Sequence, residues 1–533
     1  MRILVLKSGS FNEPLDCNLE VGHLGYSDYE ALSYTWGPPP DTHPLTVDAV
    51  DVDIRENLYW ALKYLRSTTS TRRLWVDAIC IDQNEDHDEK TEQMPLMGDV
   101  YENASRVIAW LGRSDDKSIS ALAHFRSIND GNLNDARMLQ DYHCNTETWL
   151  DFGDSLLTRD WFTRAWTVQE YIRAQKLVFM CGNDVAPQEL FAMISLLGSS
   201  PGIQLKRSRD QERTTNIGLT TEMASLVVCK DKWDNKEMMQ TLLHWIPQFL
   251  HRDCGDPKDH IFAYMGLHKA KPAFPRLDRQ RKWQDIYQSS TEHIIKQYGA
   301  LDFIFIAQGH DRDPDLPSWV PDLRTRRDNV EPALPRLNIH NPVYKASKDE
   351  KPDVTFDGKS ITAWGRNYAK IAQITNPHGD SDASRDASTI AESRKLATET
   401  RNGIPRAQWE YPFAQDHTYE EAFARTMVMD IGVTNERCRA NEGFQEWKSH
   451  WAAPSSFKPE LPRNTREKAF KEKKFHQESK WRQRRCFALF DSGRMGMVPA
   501  NSCVGDTIAL LDGASMPCVI RKKSWQYSLI GAW

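Results

Sequence analysis

Residues 73–81 read RLWVDAICI, an apolar run of strand length that ends just before a carboxylate and an amide, Asp82 and Gln83. A segment with apolar residues at helical spacing, residues 54–66 (IRENLYWALKYLR), precedes it. Further strand-like runs lie on both sides, again separated by helical patterns. This alternation predicts a parallel sheet with helices on its faces, built from Ala31–Trp36, Leu74–Ile81, Arg106–Leu111 and Leu177–Cys181.

The rest of the chain predicts two further regions behind a domain at residues 1–190. Residues 191–335 favour a helical companion region, and residues 336–533 a mixed α/β region with a hairpin at Asp357–Gly358 and a small C-terminal β element. Residues 376–406 are polar, which predicts a mobile surface excursion. Pro95 predicts a kink in a helix over Glu89–Tyr101.

Composition narrows the function classes. The 533 residues contain 68 Lys and Arg against 74 Asp and Glu, a net charge of −6, which argues against a nucleic-acid binder. No apolar run is long enough to predict a membrane span, and Ile3–Leu6 is too short for a signal peptide, so we expect a cytoplasmic protein. The ten cysteines form no C-x-x-C pair, which favours free thiols and no metal site.

One basic run, residues 463–485, is the only stretch that suggests nucleic acid or membrane. Glu467, Glu472 and Glu478 interrupt it. Charges of both signs at this spacing favour a solvated helix with pairs along its own surface.

Three blocks in the N-terminal third carry a resemblance to a known family. They are residues 31–37 (ALSYTWG), residues 74–83 (LWVDAICIDQ) and residues 164–170 (RAWTVQE). In order and spacing they resemble the fungal heterokaryon incompatibility (HET) domain. Residues 256–267 and 316–322 resemble later blocks of full-length HET proteins, and we expect both to pack against the N-terminal domain because their aromatic residues need burial.

The resemblance implies a fold and a function. HET domains are thought to be remotely similar to TIR domains, which have a flavodoxin-like parallel sheet, and their biological class is non-self recognition and programmed cell death. In the TIR pattern a helix carries Trp-x-x-x-Glu, and that Glu is catalytic in members that cleave NAD. Trp166 and Glu170 have this spacing. The resemblance therefore implies Glu170 as a catalytic residue and NAD as substrate, with no cofactor.

Binding residues are expected where strand ends meet, since ligands of parallel sheets gather at the carboxyl ends of the strands. There Glu170 should lie at the mouth of a cleft, partly exposed. The predicted substrate-binding residues are Ser33, Tyr34, Trp36, Gly37, Asp77, Asp82, Gln83 and Trp166.

Simpler interpretations of these residues stay open. Glu170 could be a surface acid paired with Arg164 or Arg173, and Trp166 could be a core residue. Asp77, within a predicted apolar strand, would be either capped by hydrogen bonds or directed at a site, because burying an unpaired acid is costly.

The function also has alternatives. The domain could be a non-enzymatic signalling or assembly module, or a family member recruited to a small-molecule biosynthetic reaction. Expected partners are a second copy of the chain or another incompatibility protein, and a small nucleotide is the expected ligand.

Overall fold

The computed structural model describes residues 1–26, 28–38, 41–83, 89–129, 145–198, 216–236, 241–268, 280–299, 301–306, 312–324, 346–347, 350–378, 383–398, 418–427 and 484–533. The chain divides into two compact units, Met1–Gln280 and Arg281–Trp533. The basic run at 463–485 lies outside the described residues except for its last two. The domain boundaries at 190 and 335 stay a prediction.

The first unit is built on a mixed sheet of nine strands: β1 (Arg2–Leu6), β2 (Asp16–Val21), β3 (Glu30–Ser33), β4 (Thr42–Val47), β5 (Val50–Arg55), β6 (Arg72–Trp75), β7 (Arg106–Trp110), β8 (Leu177–Cys181) and β9 (Asp184–Pro187). Their order in the sheet is β5-β4-β2-β1-β6-β3-β7-β8-β9.

The four strands predicted to be parallel are confirmed as parallel neighbours in the order β6-β3-β7-β8. Ala31 on β3 lies opposite both Trp75 and Val107, and Ala109 lies opposite Phe179. A wholly parallel sheet is wrong, however, because β1 pairs antiparallel with β6 and β9 antiparallel with β8.

Two predicted strands are too long. The first ends at Ser33 rather than Trp36, and the strand predicted over Leu74–Ile81 ends at Trp75. Asp77–Cys80 instead forms a one-turn helix, in which the Ala78 amide donates to Asp77 Oδ1 at 2.7 Å. An aspartate that hydrogen-bonds the backbone next to it favours such a turn over a strand.

Helices of the first unit flank this sheet and continue beyond it. They are α1 (Glu56–Leu65), α2 (Asp77–Cys80), α3 (Glu89–Gln93), α4 (Met97–Asn103), α5 (Asp116–Asn129), α6 (Thr146–Phe152), α7 (Trp166–Arg173), α8 (Gln188–Gly198), α9 (Asn216–Asp234), α10 (Leu242–Phe249) and α11 (Asp259–Phe262). The predicted kink at Pro95 is confirmed, since Met94–Leu96 is a 3₁₀ turn between α3 and α4. Proline lacks the N–H that an uninterrupted helix would use.

The segment after α10 packs closely on the sheet's helices, as predicted for residues 257–267. Phe262 and Tyr264 are buried, and Gly98 on α4 touches Gly266 so closely that a Cβ on Gly98 would lie 2.9 Å from the Gly266 carbonyl oxygen. Two glycines are needed where the backbones approach at this distance. Residues 257–267 therefore pack against the N-terminal domain.

The second unit carries the predicted β element as a six-stranded antiparallel sheet together with a two-stranded hairpin. The hairpin is β10 (Val354–Asp357) and β11 (Ser360–Ala363), and the sheet contains β12 (Gly365–Ile374), β13 (Arg485–Phe490), β14 (Met495–Pro499), β15 (Thr507–Leu511), β16 (Cys518–Lys523) and β17 (Gln526–Ala532). The order of strands in the sheet is β14-β13-β12-β15-β16-β17. The Asp357–Gly358 turn is confirmed, with Gly358 at φ 54°.

Helices of this unit are α12 (Trp283–Tyr298), α13 (Ala383–Thr398) and α14 (Tyr419–Met427). The mobile excursion predicted at 376–406 is wrong for α13, because Ile390 and Ala397 are buried in a cluster with Phe423 and Phe487. The few apolar residues of that polar segment fall on one helix face, and composition alone does not show this. Residues 379–382 and 399–406 lie outside the described residues.

Residues 316–322 are likewise packed within the second unit. Trp319 is buried, donates its indole N–H to the Lys359 carbonyl oxygen at 3.0 Å and packs against Phe356. The packing of residues 316–322 against the N-terminal domain stays a prediction. None of the helices in the described ranges has the length and apolar character that crossing a bilayer requires.

Candidate functional site

A cavity of about 820 Å³ opens at the carboxyl ends of β3 and β6 in the first unit. One wall is the chain after β3, residues 35–38, with Arg55. A second wall comes from α2 and the kinked α3–α4 segment. The third is formed by the start of α7 together with residues 253–259. Of the predicted site residues, this cavity brings together Trp36, Gly37, Asp77, Gln83, Trp166 and Glu170.

The Glu170 carboxylate lies on the floor of this cavity. Its side chain is only 5% exposed, so the expectation of a partly exposed acid at the mouth is wrong. Ser33 donates its hydroxyl hydrogen to Glu170 Oε2, and the Trp161 indole N–H donates to Ser33 Oγ at 2.7 Å. Because Ser33 has a single hydroxyl hydrogen, the indole fixes the direction in which that hydrogen points.

Burial raises the pKa of Glu170 to about 7. The hydrogen bond from Ser33 and the charge of Arg164 oppose this rise, while the charge of Asp77 adds to it. Near neutral pH the cavity floor therefore holds a carboxyl group that exchanges between its neutral and charged forms.

The simpler interpretation of Glu170 as a paired surface acid is wrong. Arg173 forms ion pairs with Asp99 and Glu102. Arg164 Nη1 donates to the Tyr34 carbonyl oxygen at 2.8 Å and acts on Glu170 through its charge alone. Neither arginine therefore neutralises the acid by direct contact.

Asp77 is capped by hydrogen bonds and also faces the cavity. Trp36 Nε1 donates to Asp77 Oδ2 at 2.8 Å, and the Ala78 amide donates to Asp77 Oδ1 at 2.7 Å. Burial and the Asp77 charge raise the pKa of Tyr34 well above its usual range, so the phenol stays a neutral donor. Asp77 thus fixes the orientation of the Trp36 ring in the cavity wall.

Gln83 links α2 to α3 in the second wall of the cavity. Its amide nitrogen donates to the Asp77 carbonyl oxygen at 2.9 Å, and Lys90 donates to the Gln83 carbonyl oxygen at 2.9 Å. Of the predicted binding residues, Ser33 and Tyr34 lie buried beneath the lining. Asp82 is a described residue outside the lining, although its neighbour Gln83 belongs to it.

Two tryptophans and a glycine shape the space around Glu170. Trp166 is 9% exposed and lines the cavity one helical turn before Glu170. Most of its surface is therefore packed in the core, and the remainder faces the cavity. Gly37 has a φ of 75°, which few other residues adopt. Arg55 donates to the Gly37 carbonyl oxygen at 2.7 Å and lies over the Trp36 ring.

Several lining residues were not predicted. The cationic side chains are Arg55, Lys90 and Arg164, and the third wall adds Asp160, Asp253, Cys254, Gly255 and Asp259. Residues 256–259 belonged to a recognised block, but nothing in the sequence indicated that this block meets α7. Among the residues that the structure describes, no three His, Cys, Asp or Glu side chains are placed to hold a metal ion.

Part of the chain, including residues 29–170, is similar to known proteins. Residues 29–170 match the family model of the heterokaryon incompatibility protein (HET). Heterokaryon incompatibility protein 6, OR allele, of Neurospora crassa is 27% identical over 212 residues, which cover 31% of this chain and 30% of that protein. The match thus spans less than a third of the relative's length. No solved structure matches the chain.

Proposed function

We propose, from the HET domain that this chain carries at residues 29–170, that the protein acts in fungal heterokaryon incompatibility, a form of non-self recognition coupled to cell death. We further propose that its cavity cleaves NAD at the N-glycosidic bond. The observation that carries the second proposal is the buried Glu170 carboxyl on the cavity floor, held by Ser33.

The chemistry requires little more than a placed carboxylate. The bond between ribose C1′ and the pyridinium nitrogen breaks, and nicotinamide leaves with the electron pair as a neutral molecule that needs no proton. Positive charge develops on the ribose, and the Glu170 carboxylate stabilises it. Water adds at C1′, and its proton passes to Glu170 or to solvent. The products are nicotinamide, ADP-ribose and one proton.

Burial makes this carboxylate effective. An ionised group in a site with little water interacts more strongly with a nearby positive charge than the same group on the surface. Burial leaves the charged form of Glu170 poorly solvated, which is why its pKa is raised. A cationic pyridinium or ribose would supply the missing charge, so binding NAD favours the ionised form.

The cavity also suits a dinucleotide in size and lining. Its 820 Å³ falls within the range of about 300–1,000 Å³ that is usual for small-molecule sites. Trp36 and Trp166 offer apolar ring surface, and Arg55 and Lys90 offer positive charge for a pyrophosphate.

The order of the parallel strands supports a TIR-like or flavodoxin-like assignment. Within the four-stranded parallel core, β3, β6, β7 and β8 come first to fourth in the chain, so the observed order β6-β3-β7-β8 reads 2-1-3-4. This is the beginning of the flavodoxin-like order, in which ligands bind at the carboxyl ends of the strands. The cavity lies at that edge.

The test is to incubate the purified full chain with NAD and measure free nicotinamide by chromatography. We expect release by the parent protein and a loss of about 10²-fold or more in Glu170→Gln, which keeps the shape but removes the charge. Glu392→Gln is the matched control, because Glu392 is an exposed acid on α13. Parental activity in Glu170→Gln would overturn the mechanism, and a parent without activity at any concentration would favour the assembly-module alternative.

A further inference from the structure

The third wall of the cavity contains a segment from outside the matched HET residues. Asp253, Cys254, Gly255 and Asp259 line the cavity, although the family match ends at residue 170. The segment is attached to the helix that carries Glu170. The Asp253 amide donates to the Thr163 carbonyl oxygen at 2.7 Å, and the Ala165 amide donates to the Asp253 carbonyl oxygen at 3.0 Å. Residues 253–259 therefore lie beside the start of α7.

Gly255 leaves open space in this wall. A Cβ added to Gly255 would meet no atom within 4 Å, and its φ is not in the left-handed range. Neither backbone conformation nor packing thus requires glycine at this position, in contrast to Gly98 and Gly266. Because Gly255 is an exposed residue of the cavity lining, a larger side chain at 255 would extend into open space at this wall without disturbing the core.

The same wall is rich in negative charge. Burial, followed by the charges of Asp259 and Asp253, raises the pKa of the Cys254 thiol, so that the thiol stays protonated. Arg164 also lines this side of the cavity and lowers the pKa of Cys254, whereas Arg55 and Lys90 belong to the other two walls. Asp160, Asp253 and Asp259 outnumber Arg164 on this side, so the lining favours a ligand with its cationic end here and its anionic remainder near Arg55 and Lys90.

We propose that the wall formed by residues 253–259 receives the cationic pyridinium ring of NAD, with Gly255 leaving room for the ring and Asp253 and Asp259 favouring its positive charge. This inference rests on the proposed NAD cleavage, since Glu170 must lie near the ribose carbon to which the ring is attached. It makes this segment a specificity element for the oxidised ring. ADP-ribose, which lacks the ring, would not touch the wall.

The test uses Gly255→Phe in the full chain, on a Glu170→Gln background that prevents turnover during the binding measurement. Equilibrium dialysis gives the affinities for NAD, NADH and ADP-ribose, and circular dichroism checks the fold. We expect NAD to bind Gly255→Phe about tenfold or more weakly, because a phenyl ring would occupy the volume that the ligand needs. ADP-ribose should change by less than about threefold, and Gly255→Ala should fall between the parent and Gly255→Phe for NAD.

The outcomes separate this inference from the proposed reaction. Unchanged NAD affinity in folded Gly255→Phe, or an equal loss for NAD and ADP-ribose, would overturn the placement of the ring. NADH binding as tightly as NAD would overturn the role of the carboxylates, because the dihydropyridine ring is neutral. A weaker affinity of Gly255→Phe for NAD but not for ADP-ribose, combined with a parent protein that releases no nicotinamide, would support the placement of the ring at this wall. The same result would reject the proposed cleavage of NAD. Absence of any binding would reject both.

Discussion

Replacing Glu170 with glutamine should make the protein more stable at alkaline pH, even though the position is buried. The pKa of Glu170 is raised from 4.5 to about 7 in the fold, so the folded state binds a proton more tightly than the unfolded chain. Stability contributed by this group is therefore complete below about pH 4.5 and is lost as pH rises to about 7. The glutamine of the variant would carry no such penalty and can still accept the hydrogen bond from Ser33.

The size of the effect follows from these two pKa values. Proton linkage gives a penalty of about 1 kcal/mol at pH 5 and about 3 kcal/mol at pH 8. Relative to the parent, Glu170→Gln should thus gain about 2–3 kcal/mol in unfolding free energy between these pH values. Titrating groups that do not interact with Glu170 are common to both proteins and cancel in this comparison.

Urea-induced unfolding of the full chain at pH 5 and pH 8, followed by tryptophan fluorescence, measures this difference. Glu392→Gln serves as control and should show no pH-dependent change relative to the parent, because Glu392 is exposed. An equal effect of Glu170→Gln at both pH values would refute the reasoning. It would mean that the Glu170 carboxyl is solvated or compensated, and that its raised pKa does not exist in solution.

Two further predictions concern the groups around this acid. Ser33→Ala removes a hydrogen bond that lowers the pKa of Glu170, so the midpoint of the pH profile for nicotinamide release should move to higher pH; an unchanged midpoint would contradict the contact. Gly266→Ala should lower the free energy of unfolding by about 1–3 kcal/mol in urea titrations, because its Cβ would overlap with the buried Gln169 amide oxygen, whereas Gly255→Ala should cost little. Equal stabilities of the two alanine variants would show that residues 265–267 are not packed against α7.

The parallel core could be predicted because its strands are short apolar runs separated by helical patterns. That alternation correctly gave four parallel neighbours and the edge at which Trp36, Asp77 and Glu170 meet. The antiparallel strands around the core could not be placed in the same way. Their pairing, such as β1 with β6, joins segments about seventy residues apart in sequence and depends on the register of the whole sheet.

The error at Asp77 has a local cause and the error at Glu170 a distant one. Asp77 ends the strand early because its side chain bonds the next backbone amide. Glu170 looked like a surface acid because it is a charged residue on a short helix. Its burial depends on Ser33, which lies 137 positions earlier, and on the indole of Trp161 behind that serine. Helical periodicity carries no information about such contacts.

The position of the third wall beside α7 could not be predicted from the sequence either. Residues 256–259 were recognisable as a sequence block, yet their place beside α7 depends on the paired backbone bonds of Asp253 with Thr163 and Ala165. Those contacts use main-chain groups that nearly every residue possesses, so no pattern of side chains predicts them. Nothing in the sequence around Gly255 indicates that this glycine lines a cavity.

The pH dependence of nicotinamide release by the full chain tests most directly the claim that a buried, ionised Glu170 cleaves NAD. Measured as kcat/KM, the rate should rise about tenfold per pH unit at low pH and level off above about pH 7, where Glu170 of the free protein has lost its proton. The residual rate of Glu170→Gln should show no such rise. A parental profile that stays flat through this range, or a variant that retains the parental profile, would contradict the claim.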